Sequence, residues 1–438
     1  MLELDDIQSG ALHPRPTPYA ATYLLIRVDD RKAGRAMLRR VGGVIASAAD
    51  PVRPQVGASV SIALSFAGLK AVGVPQNSLD SFPPEFQQGM AARAKELGDV
   101  GESSPANWEK PLGTSDVHVI LAGIAPDAAR LEAGVGRVRK EIDDTGGIHV
   151  IHRQDSFVLP TEREHFGFRD GISHPAVEGS GIPGTNPQER PLKAGEFILG
   201  YPDEGGSPPP MPQPEILGRN GTYVVFRKLH QRVAAFRQYL RSNSPSADAE
   251  ELLAAKIVGR WRSGCPLALS PERDDPELGA DPKRNNNFLY HADDPNGLKT
   301  PRGSHIRRTN FRDSKEIGEV TYHRIIRRGT AYGPPLPEGV LEDDGADRGL
   351  IFVFVGAQLK RQFEFVQTEW INGGMFIGAS AEKDPLCGTN DGTGTFTIPQ
   401  NPIRRRLQGL PQFVVTKGGE YCFMPGLRAL RWLADLNT

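Results

Sequence analysis

The sequence predicts an α+β protein made of two ferredoxin-like domains, each an antiparallel sheet flanked by helices. Three observations carry that prediction. Strand-like and helix-like segments run in the order β-α-β-β-α-β through residue 151, the same grammar returns after about residue 219, and a stretch rich in glycine, proline and charge separates the two. In such a unit the strands meet in one antiparallel sheet backed by its helices.

Side-chain periodicity assigns the elements. The apolar run from 23 to 28 reads as a buried strand, and residues 31 to 46 have helical spacing at Ala36, Met37 and Val41. Residues 60–66 alternate as a strand, and 67–71 open a short helix. Residues 117–121 form the next strand. A helix over 127–144 puts Leu131, Val135, Val138 and Ile142 on one face, and 148–151 closes the set. In the second half, 222–226 reads as a strand, 230–241 and 249–260 as helices, 321–326 and 350–355 as strands, 358–371 as a helix, and 421–423 as the last strand. The division expected is an N-terminal domain over 1–160, a bridging segment over 161–218 and a C-terminal domain over 219–438. Within the bridge, Ser207-Pro208-Pro209-Pro210 must be loop. A second aperiodic stretch, about 262 to 319, is long enough that function is the better explanation for it.

Composition excludes several partners. The chain has 438 residues, room for two domains that each bury a core, and 52 basic against 53 acidic side chains. That balance leaves no general field for nucleic acid or an anionic membrane. Cys265, Cys387 and Cys422 are odd in number, widely spaced and form no CxxC pair, which argues against a disulfide framework and a structural zinc site. The missing CxxCH excludes covalent c-type haem. Residues 1–6 are acidic and lack the basic and apolar regions of an export signal, and no apolar run approaches the ~18 residues of a membrane span. A soluble, reducing, cytoplasmic setting is expected, with either a monomer or a homodimer.

The segment with the most chemistry is Gly167-Phe168-Arg169-Asp170-Gly171-Ile172-Ser173-His174-Pro175. Glycines on both sides let backbone approach a flat ligand, while Phe168 and Ile172 exclude water from around the Asp170 carboxylate. Further along stand Ser304-His305-Ile306-Arg307-Arg308-Thr309-Asn310 and Ile325-Ile326-Arg327-Arg328-Gly329. One carboxylate, one histidine and one arginine suggest haem peroxide chemistry. Together with Phe197-Ile198-Leu199-Gly200-Tyr201, these motifs in this order resemble the dye-decolorizing peroxidases, over nearly the whole chain. The longer, non-secreted branch is the most similar. The resemblance implies two domains of the dimeric α+β barrel type, non-covalent haem b, and oxidation of dye-like or phenolic donors by hydrogen peroxide in one-electron steps.

It also implies residue roles. His305 becomes the proximal iron ligand, with His165 and His174 as its rivals for ligand or base. Asp384 becomes the acceptor for the other His305 N–H, unless it is only a turn-forming aspartate before Pro385. Asp170 takes a proton from peroxide and returns it to the outer oxygen, which favours mildly acidic conditions. Arg327 stabilises the charge that develops as the O–O bond breaks, and Arg328, its neighbour on a strand, points the other way. Phe168, Gly171, Ile172, Leu199, Gly200, Phe352 and Phe354 are expected as pocket walls, the two strand phenylalanines having plain core as their competing reading. Arg307 is expected to pair with a haem propionate or else to be a solvated surface arginine. Trp370 and Tyr332 are nominated as electron relays, with packing as the alternative. A haem carrier, store or iron-releasing protein remains the rival function, and Asp170 with Arg327 discriminates the two, since holding haem requires neither.

Overall fold

A computed structural model describes residues 1–51, 57–186, 188–313 and 319–436. Eleven strands are found among them: β1 Ala20–Val28, β2 Ser59–Ser65, β3 Val119–Ala125, β4 Ile148–Phe157, β5 Thr222–Gln231, β6 Ile326–Arg327, β7 Thr330–Tyr332, β8 Gly349–Gly356, β9 Gly394–Ile398, β10 Arg405–Leu410 and β11 Val414–Met424. Nine of them make one sheet in the order β4-β1-β3-β2-β11-β5-β8-β6, with β7 also paired to β8. The order explains the repeat seen in the sequence. In the first half the last strand pairs with the first, then the third and second follow; β11-β5-β8-β6 repeats that order in the second half. The halves join where Cys422 faces Ser65 and Phe423 faces Leu64. All pairings are antiparallel.

Helices form where a cap and an apolar stripe coincide. Asp127 accepts from Arg130 N to cap Ala128–Asp143, whose buried residues are Leu131, Val135, Val138 and Ile142. Asp30 does the same for Arg31–Gly42. With Leu427–Ala434, these helices cover one sheet face, in a core that takes residues from both halves, including Leu24, Ile62, Leu121, Val225, Phe354 and Leu430. The opposite face packs against the N-terminal segment and part of the bridge, through Ile7, Leu12, Phe197 and Ile198. The sheet's ends approach each other: Ala331 N donates to the Tyr19 hydroxyl at 2.8 Å, and the Tyr23 and Thr330 hydroxyls lie 3.0 Å apart.

Expectations change in the second half, where residues 230–231 extend β5 and the helix expected over 230–241 starts at Val233. The strand over 321–326 shrinks to Ile326–Arg327, preceded by a 3-10 turn at Val320–His323, because the Arg324 carbonyl is taken by the Gln362 side chain at 2.9 Å instead of by a neighbouring strand. The helix over 358–371 is π-helical at Lys360–Glu364 and Val366–Ile371, a form that gathers at functional sites. Among the described residues the bridge and the 262–319 stretch carry short helical turns, and Val177 and Leu192 form an isolated β-bridge; residue 187 and residues 314–318 of them lie outside the described residues. No helix among the described residues is long and apolar enough to cross a membrane.

Candidate active site

The two long loop segments, β6, β8 and the π-helical segment enclose a cavity of ≈ 320 Å³, within the ~300–1,000 Å³ usual for cofactor and ligand clefts. Phe168, Asp170, Gly171, Ile172, His305, Arg327 and Phe352 all line it. A second cavity of ≈ 500 Å³ meets the first at Arg169–Ile172 and is bordered by Arg15, Thr185 and Lys283.

The Asp170 loop is held by a residue that periodicity does not reveal. The Glu164 carboxylate accepts from Phe166 N at 3.0 Å, Phe168 N at 2.9 Å and Gln231 Nε2 at 2.6 Å. Gly171 has φ +78°, a left-handed conformation that suits glycine. So fixed, Asp170 opens onto the cavity, its Oδ1 3.5 Å from Arg327 Nη1. Burial acts to raise the Asp170 pKa, but the Arg327 guanidinium, then Arg15 and the Gly171 N–H, outweigh it and hold the carboxyl below its ordinary value. Arg328 turns away, donating to the carbonyls of Leu12 and Arg327. Only one of the two neighbours reaches the cavity.

His305 begins the short helix His305–Thr309, which packs beside Ala247–Val258. Gly259 permits the approach: a Cβ there would stand 2.5 Å from Ile306 Cγ1. The Ser304 hydroxyl donates to the Lys256 carbonyl at 2.5 Å and anchors the turn. His305 Nδ1 lies 2.9 Å from Asp384 Oδ2, which leaves Nε2 without a hydrogen-bond partner among the described residues. Asp384 is fully buried. Its Oδ1 accepts from Leu386 N and Cys387 N at 2.8 and 3.0 Å, so both sequence readings of Asp384 describe the same side chain. Burial acts to raise its pKa, yet His305 and then Arg308 bring it down to about 2. The rival histidines are otherwise placed. His165 Nε2 is 2.7 Å from the Tyr332 carbonyl oxygen. His174 sits beside Asp170 as a neutral ring, taken down to about 3 by burial and by Arg327 and Arg328. Neither borders the cavity.

Four expected wall or anchor residues are elsewhere. Leu199 and Phe354 are buried in the main core, and Gly200 is packed against Arg219; the 199–200 turn and the inner end of β8 are filled by protein. Phe352, on the same strand, does line the cavity. Arg307 is neither an anchor nor solvated. It is buried, donates to Asp294 Oδ2 and the Thr300 carbonyl at 3.1 and 2.7 Å, and lies 4.6 Å over the Tyr290 ring.

The cations that reach the cavity besides Arg327 are Arg169, which donates to the Gly279 carbonyl, and Arg260, Arg312, Arg324 and Arg227. Arg227 and Arg324 have carboxylate partners in Asp99 and Glu189. Arg260 and Arg312 have none among the described residues: both spend their N–H groups on Asn286 and on backbone carbonyls. Burial, then the Arg312 charge, takes Arg260 down to about 9. The adjoining Tyr290 hydroxyl is buried, which raises its pKa against the opposing pull of the Arg312 and Arg260 charges. A buried pair of cations without a counter-anion is costly unless a ligand supplies one. The sequence signal lay in Asn310-Phe311-Arg312, just past the His305 helix.

Residues 20–158 match the model of the DyP dimeric alpha+beta barrel domain. The chain is 32% identical to the dye-decolorizing peroxidase msp1 of Mycetinis scorodonius, over 85% of this chain and 76% of the relative. It is 31% identical to a dye-decolorizing peroxidase of Exidia glandulosa, over 98% and 86%. An ancestral D-type dye-decolorizing peroxidase superposes with a TM-score of 0.84 at 31% identity, covering 98% of both chains. The DyP-type peroxidase of Auricularia auricula-judae gives 0.85 at 28%, covering 99% of both. Another structure of this kind, at 28% identity and 0.85, is a complex with 2,6-dimethoxyphenol. With its two-fold repeated sheet, its Asp170–Arg327 pair and relatives of this name along its length, the chain belongs to the dye-decolorizing peroxidase family and is a peroxidase.

Proposed function

We propose that the cavity holds non-covalent haem b and that the protein uses hydrogen peroxide to oxidise dye-like or phenolic donors in one-electron steps. The observation that carries this reading is one cavity lined both by a histidine whose Nε2 has no hydrogen-bond partner among the described residues and by the ion-paired Asp170–Arg327 couple. The donor set fits the cofactor. His305 Nε2 would hold the iron, Phe168, Ile172 and Phe352 would give apolar walls, and Arg260 with Arg312 would pair with the propionates. When bound, the haem supplies the redox chemistry that cleaves peroxide and accepts electrons from the donor. Asp384 fixes the His305 tautomer by accepting the Nδ1 proton. Asp170 would take a proton from one oxygen of peroxide and return it to the other, so that water could leave. Arg327 lies where it can neutralise the leaving oxygen's charge.

Trp370 serves as a relay for donors too large to enter, because its ring meets His323 edge-on at 5.1 Å and His323 lines the cavity. Tyr332 is the second nominee, its hydroxyl 3.2 Å from Asp347 Oδ1. Both rings are only 2% exposed.

The test is stopped-flow mixing of the haem-loaded protein with stoichiometric peroxide. A fast change of the Soret band that an added phenol reverses is expected; a band indifferent to peroxide would return the cavity to the rival role of carrier or store. A paired substitution tests the corrected anchor. Arg312→Ala should weaken haem retention by about 10- to 100-fold, the loss of a charge-assisted hydrogen bond of ~1.5–3 kcal/mol, as read from haem transfer to apomyoglobin. Arg307→Ala should leave retention near wild type per folded molecule and lower the melting temperature.

A further inference from the structure

A third side chain joins His305 and Asp384, and the peroxide chemistry above does not use it. Cys387 is a free cysteine on the cavity wall, with its Sγ 3.5 Å from His305 Nδ1. The ligand atoms of His305, Asp384 and Cys387 lie within 4.8 Å of one another. The Cys387 N–H donates to the same carboxylate that lies 2.9 Å from His305 Nδ1, so the turn that positions Asp384 also sets the thiol against the ring.

The arrangement is competitive. With Nε2 as the iron-binding nitrogen, the ring's one proton is on Nδ1, and two acceptors stand before it: a carboxylate at 2.9 Å and a thiol sulfur at 3.5 Å. Sulfur is the weaker acceptor, and any share it takes is lost to the stronger bond. If the thiol instead turns its own proton toward Asp384, it occupies a lone pair on the group that pulls on the ring. Both arrangements have the same sign.

We propose that Cys387 is a positioning residue that restrains the Asp384–His305 hydrogen bond and so limits the imidazolate character His305 presents to bound iron. A stronger bond at Nδ1 makes the ring a more basic ligand; Cys387 sets how far that goes. The inference rests on the reading of His305 as the haem ligand.

The experiment compares the haem-loaded wild type with Cys387→Ala, Cys387→Ser, Asp384→Asn and the double variant Asp384→Asn/Cys387→Ala. Its readouts are the iron–histidine stretch of the ferrous protein by resonance Raman and the ferric/ferrous midpoint potential by spectroelectrochemistry. Cys387→Ala should raise the stretching frequency and make the potential more negative. Cys387→Ser, which restores a small polar group, should return both toward wild type, and in the Asp384→Asn background Cys387→Ala should move neither. Equal shifts in the alanine and serine variants, no shift in either, or an alanine shift that survives Asp384→Asn would overturn the proposal, since packing and not competition for the carboxylate would then explain the thiol. A wild-type protein that binds haem with no iron–histidine band would overturn the ligand reading along with it, and is told apart from a band that Cys387 fails to move.

Discussion

Replacing Asp170 by Asn is expected to slow the reaction with peroxide by about 10²–10⁴, the span that one well-placed acid–base group contributes. The substitution keeps size and shape, and the Glu164 clamp on the loop backbone is untouched, since it holds Phe166 and Phe168. What is lost is the site that accepts a proton and gives it back. Haem binding should be unchanged, because Asp170 is not among the groups that would hold the cofactor. The measurement is the second-order rate constant of the Soret change against peroxide concentration. A rate within a few-fold of wild type would remove Asp170 from the mechanism.

Arg327→Ala is expected to cost about 10²–10³ in the same rate constant, the effect of deleting a preorganised donor aimed at developing charge, and to reshape its pH dependence. In the wild type Arg327 is the largest influence lowering the Asp170 pKa against the effect of burial. A carboxyl held below its ordinary value remains a base as the solution is acidified, and the rate falls only when pH drops through that lowered value. Without Arg327, burial has less opposing it and the Asp170 pKa rises, with Arg15 as the remaining cation. The acid limb of the pH profile should therefore move toward neutrality, so that the variant loses most at mildly acidic pH, where the wild type retains its base. A profile that keeps its acid limb in place while the rate drops would separate Arg327 from Asp170.

Much of this was legible in the sequence because it depended on local pattern. The helix stripe Leu131-Val135-Val138-Ile142 and the buried strand over 23–28 are periodicities, and they reappear as Ala128–Asp143 and β1. Asp170, Arg327 and His305 stood in short motifs in a definite order. What periodicity could not show was long-range pairing. The joining of β2 to β11 brings together residues over 350 positions apart, so a chain that reads as two units folds around a shared sheet. The cavity wall depends on long-range packing in the same way. Leu199 and Phe354 carry apolar side chains that suit a pocket as well as a core, and tertiary packing assigns them to the core. Arg307 and Arg312 lie in one short stretch with the same charge. Asp294, contributed by a loop with no periodic signal, captures the first and leaves the second for the cavity. Glu164 and Cys387 were silent because a hydrogen bond to a loop backbone, or to a ring contributed from 82 positions away, has no signature in spacing.

The most direct test of the central claim, that His305 holds haem iron in this cavity, is the absorption spectrum of the purified protein titrated with haemin, compared with that of His305→Ala. The wild type should give a sharp ferric Soret band that saturates at one haem per chain, and the variant should lose that band or recover it only when imidazole is added to take the missing ligand's place. Identical spectra and identical titration end points for the two proteins would contradict it.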